Sequence, residues 1–321
     1  MTRNNHKEES SNPIAVSAKN LRRDFNGKSA VYGLDLTVQS GSLFCFLGPN
    51  GAGKTSTVFM LLGLLPPTSG TASILGHDSR RLSVLPELRK RTGVVLDEDG
   101  LHDQLTPLEN IELAASYYGL KKNDSRKIAA ERLSESGMKD KMHSPAASLS
   151  FGEKKLTALF RAMVHKPDLL ILDEPTAGLD PANRILVRKR LAEYANGGNR
   201  TVFMTTHDLE EAGEISTGSA IINKGKIVFS SISDLTPNPH ETRVSIKFEH
   251  LPEISRANLS WNFRQTGVNE YLFTGPGGEK TSELVKTLVQ NGCLIREVAE
   301  RKEKLKDIYF SLTKEATLPR H

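Results

Sequence analysis

A wholly apolar run, Leu43-Phe44-Cys45-Phe46-Leu47, passes directly into Gly48-Pro49-Asn50-Gly51-Ala52-Gly53-Lys54-Thr55 and then into the apolar-rich stretch from Val58 to Leu65. Five apolar residues with no polar alternation read as a strand buried on both faces, the habit of a sheet covered by helices. The G-x-x-x-x-G-K-[ST] spacing that follows reads as the turn from that strand into a helix. Its glycines let the backbone curl so that successive N–H groups converge on one anion, and the helix N-terminus adds its dipole. In that place Lys54 neutralises phosphate oxygens and Thr55 offers its hydroxyl to Mg²⁺. The alternative is a glycine-rich turn with no ligand, which leaves the full spacing to chance. This one segment predicts an α/β fold that binds a nucleotide.

The rhythm around it agrees. From Ile14 to about Leu235, short apolar runs alternate with longer amphipathic stretches, as in an α/β domain. Ala15 to Asp24 and Ala30 to Val38 flank Asn26-Gly27 and predict antiparallel strands joined by a turn. Further strands are expected at Leu169 to Leu172, Val202 to Met204 and Ala220 to Ile222. Thr106-Pro107-Leu108-Glu109 combines an N-cap, a proline at the first helical position and a glutamate reaching back. It opens a helical insertion of about 106–148. The proline-punctuated Thr236-Pro237-Asn238-Pro239 marks a linker. The expected domains are a polar, frayed tail over 1–13, an ATPase-sized core over 14–235 and a small α+β domain over 240–321. The last has a few strands, a helix near Ser282 to Gln290 and a closing helix near Leu305 to Leu312.

Composition removes other classes. A chain of 321 residues exceeds what one core usually organises, which favours a large domain plus a small one. No stretch approaches the roughly 18 apolar residues of a membrane span, and Met1 to Asn12 lacks the apolar centre of a secretory signal, so the expected location is the cytoplasm. Lys plus Arg number 43 against 38 Asp plus Glu, a net +5. These basic residues are scattered in pairs and triplets, Arg80-Arg81, Arg89-Lys90-Arg91 and Arg188-Lys189-Arg190, and read as solvated helix faces; no nucleic-acid partner is expected. Cys45 and Cys293 lack the spacing of a disulfide framework or a metal site and read as small buried hydrophobes.

Three further places carry chemistry. Asp168-Leu169-Leu170-Ile171-Leu172-Asp173-Glu174 sets two carboxylates at a strand end, where open α/β sheets bind ligands. Beside a phosphate loop, Asp173 is a Mg²⁺ carboxylate and Glu174 is placed to polarise water for attack on the γ-phosphate; the plainer alternative makes Glu174 a surface acid or a turn cap. Leu149-Ser150-Phe151-Gly152-Glu153 is either a capping box alone or a second anion site at a helix N-terminus. His207 follows an apolar strand and Thr205-Thr206, and is a cap or a functional group.

In chain order, the phosphate loop, L-S-x-G, apolar-Asp-Glu and strand-end histidine resemble the ATP-binding cassette (ABC) ATPase family over about 14–235. Ala177-Gly178-Leu179-Asp180 resembles its D-loop, and Phe25 stands where its adenine-stacking aromatic lies. The resemblance implies a P-loop core with a mixed sheet, an antiparallel β subdomain and the helical insertion. It implies ATP and Mg²⁺ as cofactors, with ATP held by Phe25, Gly48, Pro49, Asn50, Gly51, Ala52, Gly53, Lys54, Thr55 and Ser56. Thr55 and Asp173 hold the metal, Glu174 is the catalytic base and His207 the γ-phosphate sensor. Leu149, Ser150, Phe151, Gly152 and Glu153 act in trans on the nucleotide of a second cassette, identical or paralogous, and Asp180 couples across that interface. Two positions depart from the pattern. Asp97 stands for the Q-loop glutamine and is counted with the catalytic and Mg²⁺ residues; shorter and anionic, it still approaches Mg²⁺ but positions water differently and adds charge beside the triphosphate, and is expected to slow hydrolysis or alter coupling. Phe151 and Glu153 replace the usual glycine and glutamine, with Ser150 and Gly152 kept. Arg296 through Thr313 resembles the ending of drug, polysaccharide and sodium exporter cassettes. The function implied is ATP hydrolysis powering a separate polytopic permease, peripherally on the cytoplasmic face of the membrane. The alternatives are a soluble, non-transport cassette ATPase and a low-turnover regulatory cassette.

Overall fold

A computed structural model describes residues 13–82, 84–230, 241–250, 261–276 and 281–300. The polar N-terminal residues to 12, the linker at 236–239 and the expected helix at 305–312 lie outside them. The chain divides into two compact units, the first ending at Ile232.

The first unit opens with β1 (Ile14–Phe25) and β2 (Lys28–Gln39). Phe25 pairs with Lys28, so the loop between them is two residues long. Asn26 and Gly27 both take positive φ, 46° and 80°, the turn whose twist matches two antiparallel strands. With β4 (Ser69–Ile74) and β5 (His77–Asp78) they form an antiparallel sheet in the order β2-β1-β4-β5.

The central sheet is built on β3 (Leu43–Leu47), whose five residues are all buried, as the apolar run predicts. Its partners are β6 (Thr92–Val95), β7 (Leu169–Leu172), β8 (Thr201–Thr206), β9 (Gly218–Asn223) and β10 (Lys226–Ser230), in the order β10-β9-β3-β8-β7-β6. The pairings are parallel except for β9 with β10. Phe203 stacks on Phe44 with ring centroids 5.8 Å apart and lies 5.9 Å from Phe46, which locks the register of β3 against β8 by side-chain packing.

Helix α1 (Lys54–Leu61) leaves the end of β3 and buries Thr57, Val58, Met60 and Leu61. The short α2 (Pro86–Lys90) precedes β6. The insertion contains α3 (Pro107–Tyr117) and α4 (Lys122–Glu135). Thr106 and Glu109 close the expected capping box on α3. Asn110 then bridges the preceding loop, accepting from His102 N–H at 2.8 Å and donating to the carbonyls of His102, Leu105 and Thr106. Helix α5 (Phe151–Met163) is amphipathic, and α6 (Pro181–Asn196) and α7 (Leu209–Ile215) follow β7 and β8.

The second unit has a four-stranded antiparallel sheet of β11 (Glu241–Phe248), β12 (Asn262–Gly267), β13 (Glu270–Pro276) and β14 (Ile295–Glu300), in the order β12-β13-β11-β14. Its helix is α8 (Thr281–Gln290). Val244, Ile246, Phe248, Trp261, Phe273, Leu284, Leu288 and Cys293 form its core. Both cysteines are buried, as their apolar neighbours suggest.

Candidate nucleotide site

Because β3, β6, β7 and β8 run parallel, their C-terminal ends lie along one edge of the sheet. That edge carries the phosphate loop after β3, Asp97 after β6, Asp173 and Glu174 after β7, and His207 after β8, the place where open α/β sheets take ligands.

The loop after β3 is set by two glycines with no room for a side chain. A Cβ on Gly48 would strike the carbonyl of Ile222, and one on Gly53 would lie 2.5 Å from the carbonyl of Ala30, with φ at +111° besides. Gly53 is the N-cap of α1 and supplies no side chain to it, whereas α3, α5, α6 and α7 are capped by Thr106, Ser150, Asp180 and Asp208. The first N–H groups of α1 therefore lack an intrahelical or capping acceptor. Gly51 faces open space, and Thr55 at the first turn is exposed.

Lys54 is 6% exposed. Its ammonium donates to the carbonyl of Gly48 at 2.7 Å and of Pro49 at 3.3 Å, so the lysine folds back along the loop. It also forms an ion pair with Glu174 Oε1 at 3.0 Å. The other carboxylate oxygen, Oε2, lies 2.9 Å from His207 Nδ1. Glu174 thus ties the loop lysine to the strand-end histidine, with its side chain 16% exposed and that of His207 54% exposed. The backbone of Glu174 is left-handed, φ 49°, which costs a non-glycine residue about 1–3 kcal/mol and is held by its surroundings. The Thr205 hydroxyl does that holding: it accepts from Glu174 N–H at 2.9 Å and donates to Asp173 Oδ1 at 2.5 Å. Asp173 is 1% exposed. The Thr205 contribution is not visible in the linear motif, although a hydroxyl two residues before His207 is its local signal.

The loop after β6 is clasped by α5. Lys155, 3% exposed, donates to the Asp97 carbonyl at 2.8 Å, and its ammonium lies 3.9 Å from Asp97 Oδ1. Arg161 donates to the carbonyls of Asp99 (2.6 Å) and Gly100, and Lys154 to Asp103 Oδ1 at 3.1 Å. Burial pushes the Lys155 ammonium below its ordinary pKa, against the opposing pull of Asp97, Asp99, Asp173 and Glu174. The Asp97 side chain is 84% exposed. Sequence reasoning singled out Asp97 but missed Lys155, whose depth on α5 depends on the helix's packing.

Ser150 makes the capping box: it accepts from Glu153 N–H at 3.3 Å while Glu153 Oε2 accepts from Ser150 N–H at 2.8 Å. Phe151 is 52% exposed and lies over Gly178, while Gly152 abuts the Asn183 side chain. Asp180 accepts from the N–H groups of Ala182 and Asn183, and its carboxyl is held below the usual range chiefly by the Asn183 N–H. The L-S-F-G turn and residues 178–183 therefore form one surface. Among the described residues, no hydrogen bond or ion pair joins Ser150 or Gly152 to residues 48–56. Phe25 is 42% exposed, with the Arg23 guanidinium 4.6 Å from its ring centroid.

The ABC transporter family model matches residues 31–177. "Nod factor export ATP-binding protein I" of Burkholderia lata is 38% identical over 215 residues, covering 67% of this chain and 70% of that protein. The chain belongs to the ABC transporter family. "ABC transporter A family member 5" of Dictyostelium discoideum is likewise 38% identical, over 71% of this chain, but the match spans 14% of that protein's length. Among solved structures, CbiO1 of Clostridium perfringens, part of the ABC transporter complex CbiONQ, superposes with a TM-score of 0.60 at 26% identity, over 68% of this chain and 88% of that one. The mixed α/β architecture of the first unit is thus that of a P-loop ABC ATPase core, the fold of an ATP-hydrolysing cassette.

The residues fit the ATP and Mg²⁺ that this ABC fold implies. An uncapped helix N-terminus meets an anion, and the buried Lys54, folded back along the loop onto the Gly48 and Pro49 carbonyls, is its counter-charge. No cluster of three or more His, Cys, Asp or Glu able to hold a metal occurs among the described residues. Mg²⁺ takes one or two protein ligands and completes its shell with phosphate oxygens and water; Thr55 and Asp173 are the residues that would hold it. Among the described residues no helix is long and apolar enough to cross a membrane.

Proposed function

We propose that this chain is the ATP-hydrolysing cassette of a membrane exporter. The observation that carries it is the convergence of Lys54, Asp173, Glu174 and His207 at one sheet edge, with Glu174 in contact with both Lys54 and His207. Lys54 and the α1 N-terminus bind the phosphates; Thr55 and Asp173 would hold Mg²⁺, which when bound would offset the phosphate charge. Glu174 accepts the proton of the attacking water, and His207 orients it and contacts the γ-phosphate. Phe25 stacks on the base.

Ser150 and Gly152 complete the nucleotide site of a second cassette, and Asp180 transmits its state, so the working unit is a cassette dimer. ATP binds the closed dimer more tightly than the open one, and that difference in affinity is what moves the membrane chains. The partner is a separate polytopic permease, contacted through the 97 loop and the helical insertion of 106–148, which places the cassette on the cytoplasmic face of the membrane. Export is supported by the name of the Burkholderia lata relative and by the exporter-like ending at 296–313. In domain terms, 14–235 is the ATPase and 240–321 an accessory domain for packing, dimer support or regulation.

Steady-state ATPase of the purified chain with Mg²⁺, beside Glu174→Gln, tests the enzyme; equal rates overturn the assignment of the base. Affinity capture of Glu174→Gln with ATP in mild detergent tests the partner. Recovery of a polytopic membrane protein supports the transporter, and recovery of soluble assemblies alone overturns it.

A further inference from the structure

One carboxylate outside the four motifs is fully buried. Glu211, on α7, is 0% exposed. A single one of its oxygens, Oε2, accepts from Thr176 Oγ1 at 2.8 Å and from Thr206 Oγ1 at 2.8 Å. Its other oxygen accepts from Arg188 Nε at 3.2 Å, and Arg188 continues to Glu214 at 2.8 Å and Asp208 at 3.6 Å. Thr176 and Thr206 are 4% and 1% exposed. A buried carboxylate persists only when it is paired and its lone pairs are filled, and here both conditions are met by groups from three places: α6, the turn after Glu174 and the last residue of β8.

The placement is specific. Thr176 is two residues beyond Glu174, and Thr206 immediately precedes His207. Successive side chains of a strand point to opposite faces. Thr205 accordingly reaches Asp173 and the Glu174 N–H, while Thr206 reaches Glu211. The two hydroxyls grip the strand end from both sides, one directly and one through the buried carboxylate. The Glu174 to His207 contact of 2.9 Å joins two segments that Glu211 also joins from beneath, and the left-handed Glu174 backbone needs such support.

We propose that Glu211 is a positioning residue for ATP hydrolysis: its carboxylate holds the turn bearing Glu174 and the loop bearing His207 in mutual register. This rests on the assignment of hydrolysis to Glu174 and His207. The test uses the full chain and compares Thr176→Val, which removes one hydroxyl at nearly constant volume, with Thr176→Ser, Glu211→Gln and the double variant. Thr176→Val is expected to lower kcat about tenfold while KM for ATP stays within about twofold, the signature of an interaction needed only in the transition state. The melting temperature is expected to fall by a few degrees because a buried carboxylate loses one donor, Thr176→Ser to restore both the rate and the melting temperature, and the double variant to be no slower than its slower single parent because the two act as one unit. A parental kcat in Thr176→Val overturns the proposal. So does a fall in kcat matched by a rise in KM for ATP, which marks a general loss of the site's structure rather than of its alignment in the transition state. Glu174→Gln and His207→Ala run alongside: if they too hydrolyse at the parental rate, the underlying assignment fails, whereas their inactivity with normal Thr176 and Glu211 variants overturns the positioning role alone.

Discussion

Glu174 is held by three different interactions: the Lys54 ammonium on one oxygen, His207 on the other, and the Thr205 hydroxyl on its N–H. Removing its charge in Glu174→Gln leaves the backbone anchor intact. The expected outcome is a fall in kcat of roughly 10²–10⁴, the usual worth of a positioned base, with ATP affinity by calorimetry close to the parent. Gly53 differs in kind, because its backbone is left-handed and the Ala30 carbonyl fills the space a Cβ would take. Gly53→Ala is expected to lower stability by about 1–3 kcal/mol and to weaken ATP binding with it, read by thermal unfolding with and without nucleotide. The G-x-x-x-x-G-K-T spacing made this loop legible in the sequence, since every group in it is consecutive along the chain. The Thr205 bridge was not, because it spans 31 and 32 positions to Glu174 and Asp173.

The starts of α3 and α5 were legible for the same reason: each cap is a contact between residues three apart. What α5 does was not. Its basic side chains reach Asp97, Asp99, Gly100 and Asp103 across 51 to 62 positions. A buried cation is thus already in place beside the anionic Asp97. We expect Asp97→Gln to raise the steady-state ATPase rate, and an unchanged rate with unchanged transport defeats the idea that Asp97 slows turnover. In the turn just after α5, His165 stacks on Tyr118 with ring centroids 3.6 Å apart, and burial depresses its pKa from 6.5 to about 4. Protonation is then favoured in the unfolded chain, which binds the proton near pH 6.5 while the folded chain does not, so stability falls as pH drops from 6.5 towards 4. His165→Gln is expected to flatten the part of the melting-temperature decline that this ring causes, compared with the parent over the same pH range.

At the scale of the molecule, the two units can be followed separately. The chain has one tryptophan, Trp261, which is 5% exposed in the core of the second unit. A Cβ on Gly275 would run into its indole ring, and overpacking of this kind costs about 1–3 kcal/mol. Gly275→Ala is expected to lower the unfolding midpoint seen by tryptophan emission, with a parental midpoint counting against the packing described. In the first unit, the α/β rhythm and most of the central strands were readable from apolar runs. The short β5 and the edge strand β10 were not, since a strand of two polar residues and a half-exposed pattern carry little hydrophobic signal.

The sequence by itself determined the chemistry available and where each group sits on its own element: the anion-binding turn after β3, the carboxylates after β7, the histidine after β8 and the helix caps. These depend on neighbours along the chain, on periodicity and on turn geometry. Only the tertiary structure decided which groups meet. The sheet order β9-β3-β8-β7-β6 is not the chain order, and it brings Lys54, Glu174 and His207 together and places Glu211 beneath two of them. That order follows from burying the apolar strand faces between layers, a whole-chain energy that no local stretch of residues specifies.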